Sequence, residues 1–344
     1  MNNKQPFHAA YLFALAVACA PTWAQHVKVT PLGSHAGELC AMDRATIFED
    51  PSGVRILYDA GRSVTGAEDP RLGNVHVVLL THAHGDHIGD GKLASQGAGS
   101  CEKPQTVTAV PNSTTAEIAA AKNAVIMMVA EMGVFVGKKV ENIRGKPTGA
   151  CASSGGAISV PQAMPCLANA HLGGSHIVKT GESARGVEIT IIFASHANNV
   201  PRSLLTEPHS THLAADNVSI ALGPPTGYVI KFTNGLVAYL TGDTGIHTEM
   251  KSVVHDFHKA NLMMINFGSS AVDAQAAAHA ANELVRPASV IISHVNEGAT
   301  AGGKLKPTSR TAAFIKLVKN RPVHLAISGR TLEFDGSGRC VARC

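Results

Sequence analysis

The sequence predicts a mixed α/β fold (α/β or α+β), and three observations carry that expectation. Strands and helices alternate through the second half: residues 187–193, 226–232 and 236–240 read as strands, 253–259 and 271–284 as helices, and 289–292 as a further strand. Residues 75–80 form an apolar run of strand length, the pattern of a strand buried on both faces. The 344 residues are 45% hydrophobic and 16% charged, which is enough apolar material for one large core or two modest ones.

Taken in order, Lys4, the apolar stretch 9–20 and Thr22-Trp23-Ala24 read as a signal peptide over residues 1–24, cleaved before Gln25. That stretch is too short to cross a bilayer, and no later apolar run reaches the length of a transmembrane segment. Ala16-Val17-Ala18-Cys19 is a partial lipoprotein box without its usual Leu, so a lipid anchor at Cys19 is a minor reading beside a periplasmic or secreted address. Residues 25–344 then form one catalytic domain with a partly helical insertion at about 90–185. Residues 27–32 and 46–58 read as short strands broken by Gly, Pro and Asp turns. Inside the insertion, Thr114-x-x-Glu117 makes a capping box, opening a helix that runs to about Phe135 and is apolar nearly all round. Such a helix buries against the domain or a second subunit, which leaves a homo-oligomer open, and it is a candidate lid over the site. Residues 151–175, rich in Gly, Ser and Ala, read as loop.

Removing the signal peptide leaves Cys40, Cys101, Cys151, Cys166, Cys340 and Cys344, an even number that favours disulfides in an oxidising compartment. All fifteen connectivities stay open, although a bridge between Cys340 and Cys344 would pin the C-terminal tail. Lys and Arg number 29 against 25 Asp and Glu, for a net charge of +4 with no basic block, so no nucleic-acid partner is expected. The unusual count is 18 His.

Three of those imidazoles and a carboxylate fall together in Thr81-His82-Ala83-His84-Gly85-Asp86-His87, directly after the apolar run 75–80. On extended chain, residues two apart share a side, so His82 and His84 can grip one ion. Asp86 and His87 come where the chain turns into a helix and can address a second ion beside the first. Neutral imidazole and carboxylate suit Zn²⁺, with Mn or Fe also compatible. Further on, His196 in Ser195-His196, Asp243 in Gly242-Asp243-Thr244 and His294 in Ser293-His294 each come just after an expected strand. His209, His212 and Asn198 lie near His196 in sequence and read as solvated loop.

The motif and the order of these matches resemble the metallo-β-lactamase superfamily, with Leu32-Gly33-Ser34 and Leu57-Tyr58-Asp59-Ala60-Gly61 similar to its opening strands and Asp59 in a supporting position. The resemblance implies an αββα four-layer sandwich with two divalent metal ions at one edge. His82, His84 and His196 would hold the first; Asp86, His87 and His294 the second; Asp243 would bridge both. It further implies a hydrolase in which a metal-bridging hydroxide attacks a small-molecule substrate, with Asp86 as the catalytic residue that orients it and takes its proton. The bridging Asp243 resembles the phosphodiesterase, lactonase and RNase Z-like branches. Tyr228 in Thr226-Gly227-Tyr228 and the stretch Met264-Ile265-Asn266-Phe267-Gly268 resemble the L-ascorbate-6-phosphate lactonase branch. A small ester, lactone or phosphoester is the expected substrate. An iron-dependent redox enzyme on the same fold, such as a persulfide dioxygenase, and a β-lactam hydrolase are the alternatives.

Overall fold

The computed structural model describes Met1 and residues 26–181, 183–268 and 272–344. The expected signal peptide and Cys19 lie outside the described residues. Two eight-stranded sheets stack on each other. The first runs Cys340–Ala342, Leu332–Phe334, Val27–Pro31, Thr46–Glu49, Arg55–Tyr58, Val77–Leu79, Val125–Met127 and Cys166–Leu167. The second runs Val323–Leu325, Ser289–Ser293, Leu262–Asn266, Val237–Leu240, Thr226–Lys231, Val187–Phe193, Ser175–Thr180 and Ala157–Val160.

Side-chain alternation sorts the first sheet into two faces. Phe48, Ile56, Tyr58, Val77, Leu79, Val125 and Met127 join the core shared with the second sheet. Their neighbours Ile47, Leu57, Val78 and Ile126 instead pack under Ile118, Met132, Val136 and Val140 of the helices Thr114–Ala121 and Ala130–Arg144. A period of two on strands covered on both faces gives this result. Beyond the second sheet, Ala277 and Phe314 of the helices Ala274–His279 and Arg310–Leu317 complete the central cluster. The layers are therefore helix, sheet, sheet, helix, as expected. Among the described residues no helix is long and apolar enough to cross a membrane.

The segment read as an insertion departs from expectation. The single helix from Thr114 to about Phe135 is two helices with a strand between them. Ser113, not Thr114, caps the first, its hydroxyl accepting from the Ala116 N–H at 3.2 Å. Asn123, at φ +50°, turns the chain out of the helix. Val125–Met127 then lies in parallel between Val77–Leu79 and Cys166–Leu167. The stretch looked apolar all round because its middle is a buried strand. The loop reading of 151–175 is corrected too: Ala157–Val160 and Cys166–Leu167 are edge strands, one on each sheet. Residues 90–185 are thus built into both sheets. The six cysteines among the described residues are all paired, as Cys40–Cys101, Cys151–Cys166 and Cys340–Cys344.

Candidate metal centre

The functional side chains sit where strands end. The loop carrying His82 to His87 leaves Val77–Leu79, His196 follows Val187–Phe193, Asp243 follows Val237–Leu240, and His294 follows Ser289–Ser293. In the second sheet Val187–Phe193, Val237–Leu240 and Ser289–Ser293 all run in the same direction, so their three loops leave at one edge. Glycine is needed at one tight point: Gly242 has φ +60°, and a Cβ there would lie 2.5 Å from the Thr226 carbonyl oxygen. Asp59 (φ +43°) and His294 (φ +51°) take the left-handed conformation without being glycine, a local cost that clusters at functional sites.

Three groups of potential ligand atoms result, each within 4.8 Å: His82, His84 and His196; His82, His87 and Asp243; Asp86, His87 and His294. All seven residues singled out in the sequence are brought together. Asp243 stands between two trios. Its Oδ2 lies 3.8 Å from His196 Nε2, while its Oδ1 lies 3.5 Å from His87 Nε2 and 3.4 Å from His294 Nε2. Asp86 Oδ2 closes the second trio, 3.5 Å from His294 Nε2 and 3.7 Å from His87 Nε2.

The surroundings fix which ring nitrogens face the centre. Asp59, buried at the end of Arg55–Tyr58, accepts three hydrogen bonds: from the Thr81 N–H, from the Thr81 hydroxyl and from His87 Nδ1, each at 2.9 Å. With its proton on Asp59, the Thr81 hydroxyl accepts from His82 Nδ1 at 3.0 Å. In both rings the Nδ1 is the donor, and the Nε2 lone pair points inward. His87 Nε2 and His294 Nε2 then face each other 3.1 Å apart among carboxylate oxygens. Nitrogen lone pairs and carboxylates converging on one point fit a divalent cation, and the mixed N and O donor set suits Zn²⁺, Mn or Fe.

The electrostatics agree. Burial alone would raise the Asp243 carboxyl, but His294 and His87 beside it hold it well below the usual carboxylate range. Burial likewise disfavours charge on His87, yet Asp243, Asp86 and Asp59 outweigh it and push the imidazole up to about 10. The same three carboxylates that favour positive charge on this buried ring would favour a cation beside its Nε2. At His82 burial, aided by His87, holds the imidazole well below its ordinary value, so it stays a neutral donor.

A model of the metallo-β-lactamase superfamily matches residues 45–96, the stretch holding Asp59 and the motif His82 to His87. Over that stretch the chain is similar to the superfamily, and relatives that match most of its length are named metal-dependent hydrolases. It is 27% identical over 306 residues to a UPF0173 metal-dependent hydrolase of Cupriavidus taiwanensis, covering 85% of this chain and 87% of the relative. A second UPF0173 metal-dependent hydrolase, from Koribacter versatilis, is 24% identical over 259 residues, covering 74% of this chain and 82% of its own. Among solved structures, Igni18, described as a novel metallo hydrolase from Ignicoccus hospitalis, superposes with a TM-score of 0.55 at 22% identity, covering 90% of this chain and 99% of its own.

Several supporting roles around this centre escaped the sequence reading. Asn198 is buried, not solvated loop: its Oδ1 accepts from the Ala83 N–H at 2.7 Å and its Nδ2 donates to the Leu222 carbonyl at 2.8 Å, tying the His82 loop to residues beyond His196. Its only signal was nearness to His196. Asn266 donates to Asp243 Oδ1 at 3.1 Å, and the Tyr58 hydroxyl accepts from the Gly242 N–H at 3.1 Å. Arg44, whose side chain is 3% exposed, donates to Asp86 and carried no sequence signal at all. His209 and His212 lie on the helix His209–Ala215, which buries no residue, as expected of solvated side chains.

Proposed function

We propose that the protein is an exported hydrolase that works with two divalent cations, most readily Zn²⁺, and cleaves a small ester, lactone or phosphoester. The observation that carries this reading is the division of Asp243, one oxygen toward His196 and the other toward His87 and His294. A carboxylate set between two ligand trios is what a bridging role requires. His82, His84 and His196 would hold one cation, and Asp86, His87 and His294 the other. Two such cations, if bound there, would supply acidification of a water toward neutral pKa and polarisation of a carbonyl or phosphoryl oxygen. Asp86 would orient that water and take up its proton, while Asp59 and Thr81 keep His87 and His82 in the tautomer that presents Nε2. The complete pairing of six cysteines supports an oxidising address, periplasmic or secreted, after removal of residues 1–24.

Elemental analysis of protein purified without chelator tests the metal count, with about two ions per chain expected. One ion at saturation with full activity overturns the dinuclear reading. The same metal-replete protein is screened on lactones, carboxylic esters, phosphomonoesters, phosphodiesters, phosphotriesters and β-lactams, with oxygen uptake followed in parallel. Turnover confined to β-lactams, or oxygen consumption with bound iron, replaces the proposal by one of its alternatives.

A further inference from the structure

Arg44 lies on the loop between Val27–Pro31 and Thr46–Glu49, outside every motif. A guanidinium has five N–H groups. Here Nε donates to Asp86 Oδ2 at 3.2 Å, and Nη2 donates to the same oxygen at 2.9 Å and to Asn296 Oδ1 at 2.6 Å. Nη1 donates to the carbonyls of Ala41 at 3.2 Å and Asp43 at 3.1 Å. The five N–H groups make five hydrogen bonds to four acceptor atoms, all within the protein. A buried guanidinium beside a hydrolytic centre invites the reading of an anion clamp for substrate, but no N–H is left for one.

The fork acts on one atom. Both bonds to Asp86 go to Oδ2, the oxygen 3.5 Å from His294 Nε2. The other oxygen receives no hydrogen bond from any described residue, and the Asp86 side chain is 33% exposed. The carboxylate therefore has one oxygen aimed and one open. We propose that Arg44 is a positioning residue that locks Asp86 so that Oδ2 serves the ion held with His87 and His294 while Oδ1 is left to the attacking water. This rests on the dinuclear reading above.

The support behind Arg44 is stiff. Asp43 accepts the Ser34 N–H at 2.7 Å and the Cys40 N–H at 2.8 Å, and the backbone N–H groups of Arg44 and Ala45 both donate to the Ser63 hydroxyl, at 3.1 and 3.0 Å. Asn296 is held in turn through its donation to the Gly268 carbonyl at 2.7 Å. The guanidinium reaches Asp86 from a fixed anchor, which a positioning role needs.

Charge and geometry pull in opposite directions, and this makes the proposal testable. A cation beside a metal ion repels it, so removing the charge alone would tighten metal binding; losing the fork loosens the ligand. Arg44→Lys keeps the charge and removes the fork. The experiment is a chelator-competition titration of Zn²⁺ into the full chain, wild type beside Arg44→Lys and Asn296→Ala, repeated with Co²⁺ to follow the ligand-field spectrum of each site. The expected result is about 10- to 100-fold weaker binding of one of the two ions in Arg44→Lys, the other unchanged, and a smaller loss at the same site in Asn296→Ala. Asn296→Ala removes a single acceptor and serves as the arm of the test should Arg44→Lys not fold. Wild-type affinity at both sites in every folded variant overturns the proposal. Equal weakening of both sites also overturns it, because a merely structural role acts on the whole centre. A wild type that binds one ion instead refutes the dinuclear reading, and the proposal falls with it.

Discussion

Asp59→Asn isolates the second row of the centre from its ligands. The carboxylate is 1% exposed and accepts three hydrogen bonds, two at Oδ2 and one at Oδ1. In the amide, one position becomes an NH₂ that faces a donor. The better placement keeps the oxygen toward His87 Nδ1 and the Thr81 hydroxyl and sets NH₂ against the Thr81 N–H. That arrangement leaves one buried donor unpaired, at about 1–3 kcal/mol, and the two surviving bonds lose their ionic partner, at roughly half their strength. The metal-free Asp59→Asn variant should therefore unfold in urea with a stability about 2–4 kcal/mol below wild type. The second loss is in metal binding. With its orienting carboxylate gone, His87 no longer reliably presents Nε2, and affinity at the site it serves should fall about 10- to 100-fold. Urea unfolding of stripped protein and chelator competition on loaded protein read the two effects separately. A variant within about 0.5 kcal/mol of wild type, with unchanged metal affinity, refutes the role given to Asp59.

Three further outcomes are expected. Replacing residues 97–181 by a short Gly/Ser linker should abolish soluble, metal-binding protein, because the deletion removes a strand buried between its neighbours in the first sheet and edge strands of both; a soluble product that binds metal and differs only in substrate ranking would restore the lid reading. Protein recovered from the periplasm or medium should begin at Gln25 and show no free thiols under denaturing conditions, and losing the Cys40–Cys101 bond, which spans 61 residues, should cost about 2–5 kcal/mol by chemical unfolding; a full set of free thiols there contradicts the pairing. Glu49→Gln should lower stability at neutral pH by no more than about 1 kcal/mol. Burial would raise the Glu49 carboxyl, but Arg55 and Lys28 outweigh it and lower it; its stabilisation is then complete above the ordinary carboxylate value and is lost as pH falls through the folded one, so the two unfolding curves should converge in acid, and a gap independent of pH disproves the ion-pair account.

The ligands were legible because their signal is local. Four candidate metal-binding side chains within six residues need no tertiary knowledge, and His196, Asp243 and His294 are marked by the strands they follow. Of the strands covered on both faces, Val77–Leu79 was legible as a short apolar run directly before the motif. Val125–Met127 was not, since a strand buried on both faces and a buried helix are equally apolar over so few residues. Ala157–Val160 and Cys166–Leu167 were missed because short edge strands in a Gly- and Ser-rich stretch have no periodicity to read. Arg44 meets Asp86 across 42 positions, a partnership that only the fold creates. Disulfide pairing is of the same kind: the count was visible and the partners were not.

The first sheet also dictates the order in which the molecule can be finished. Its strand Val27–Pro31, at the start of the described chain, pairs on one side with Thr46–Glu49 and on the other with Leu332–Phe334, Val27 standing opposite Phe334. A chain emerging from the ribosome makes the first pairing early and cannot make the second until nearly all of it has been synthesised. Until then Val27–Pro31 is an open edge, ready to pair with any other strand it meets. Closure through a contact between opposite ends is also slow, because so much intervening chain must be ordered first. Such a polypeptide stays unfinished for nearly the whole of its synthesis. It also means that a message truncated shortly before residue 332 would yield a protein with every candidate metal ligand present and one sheet left unsealed.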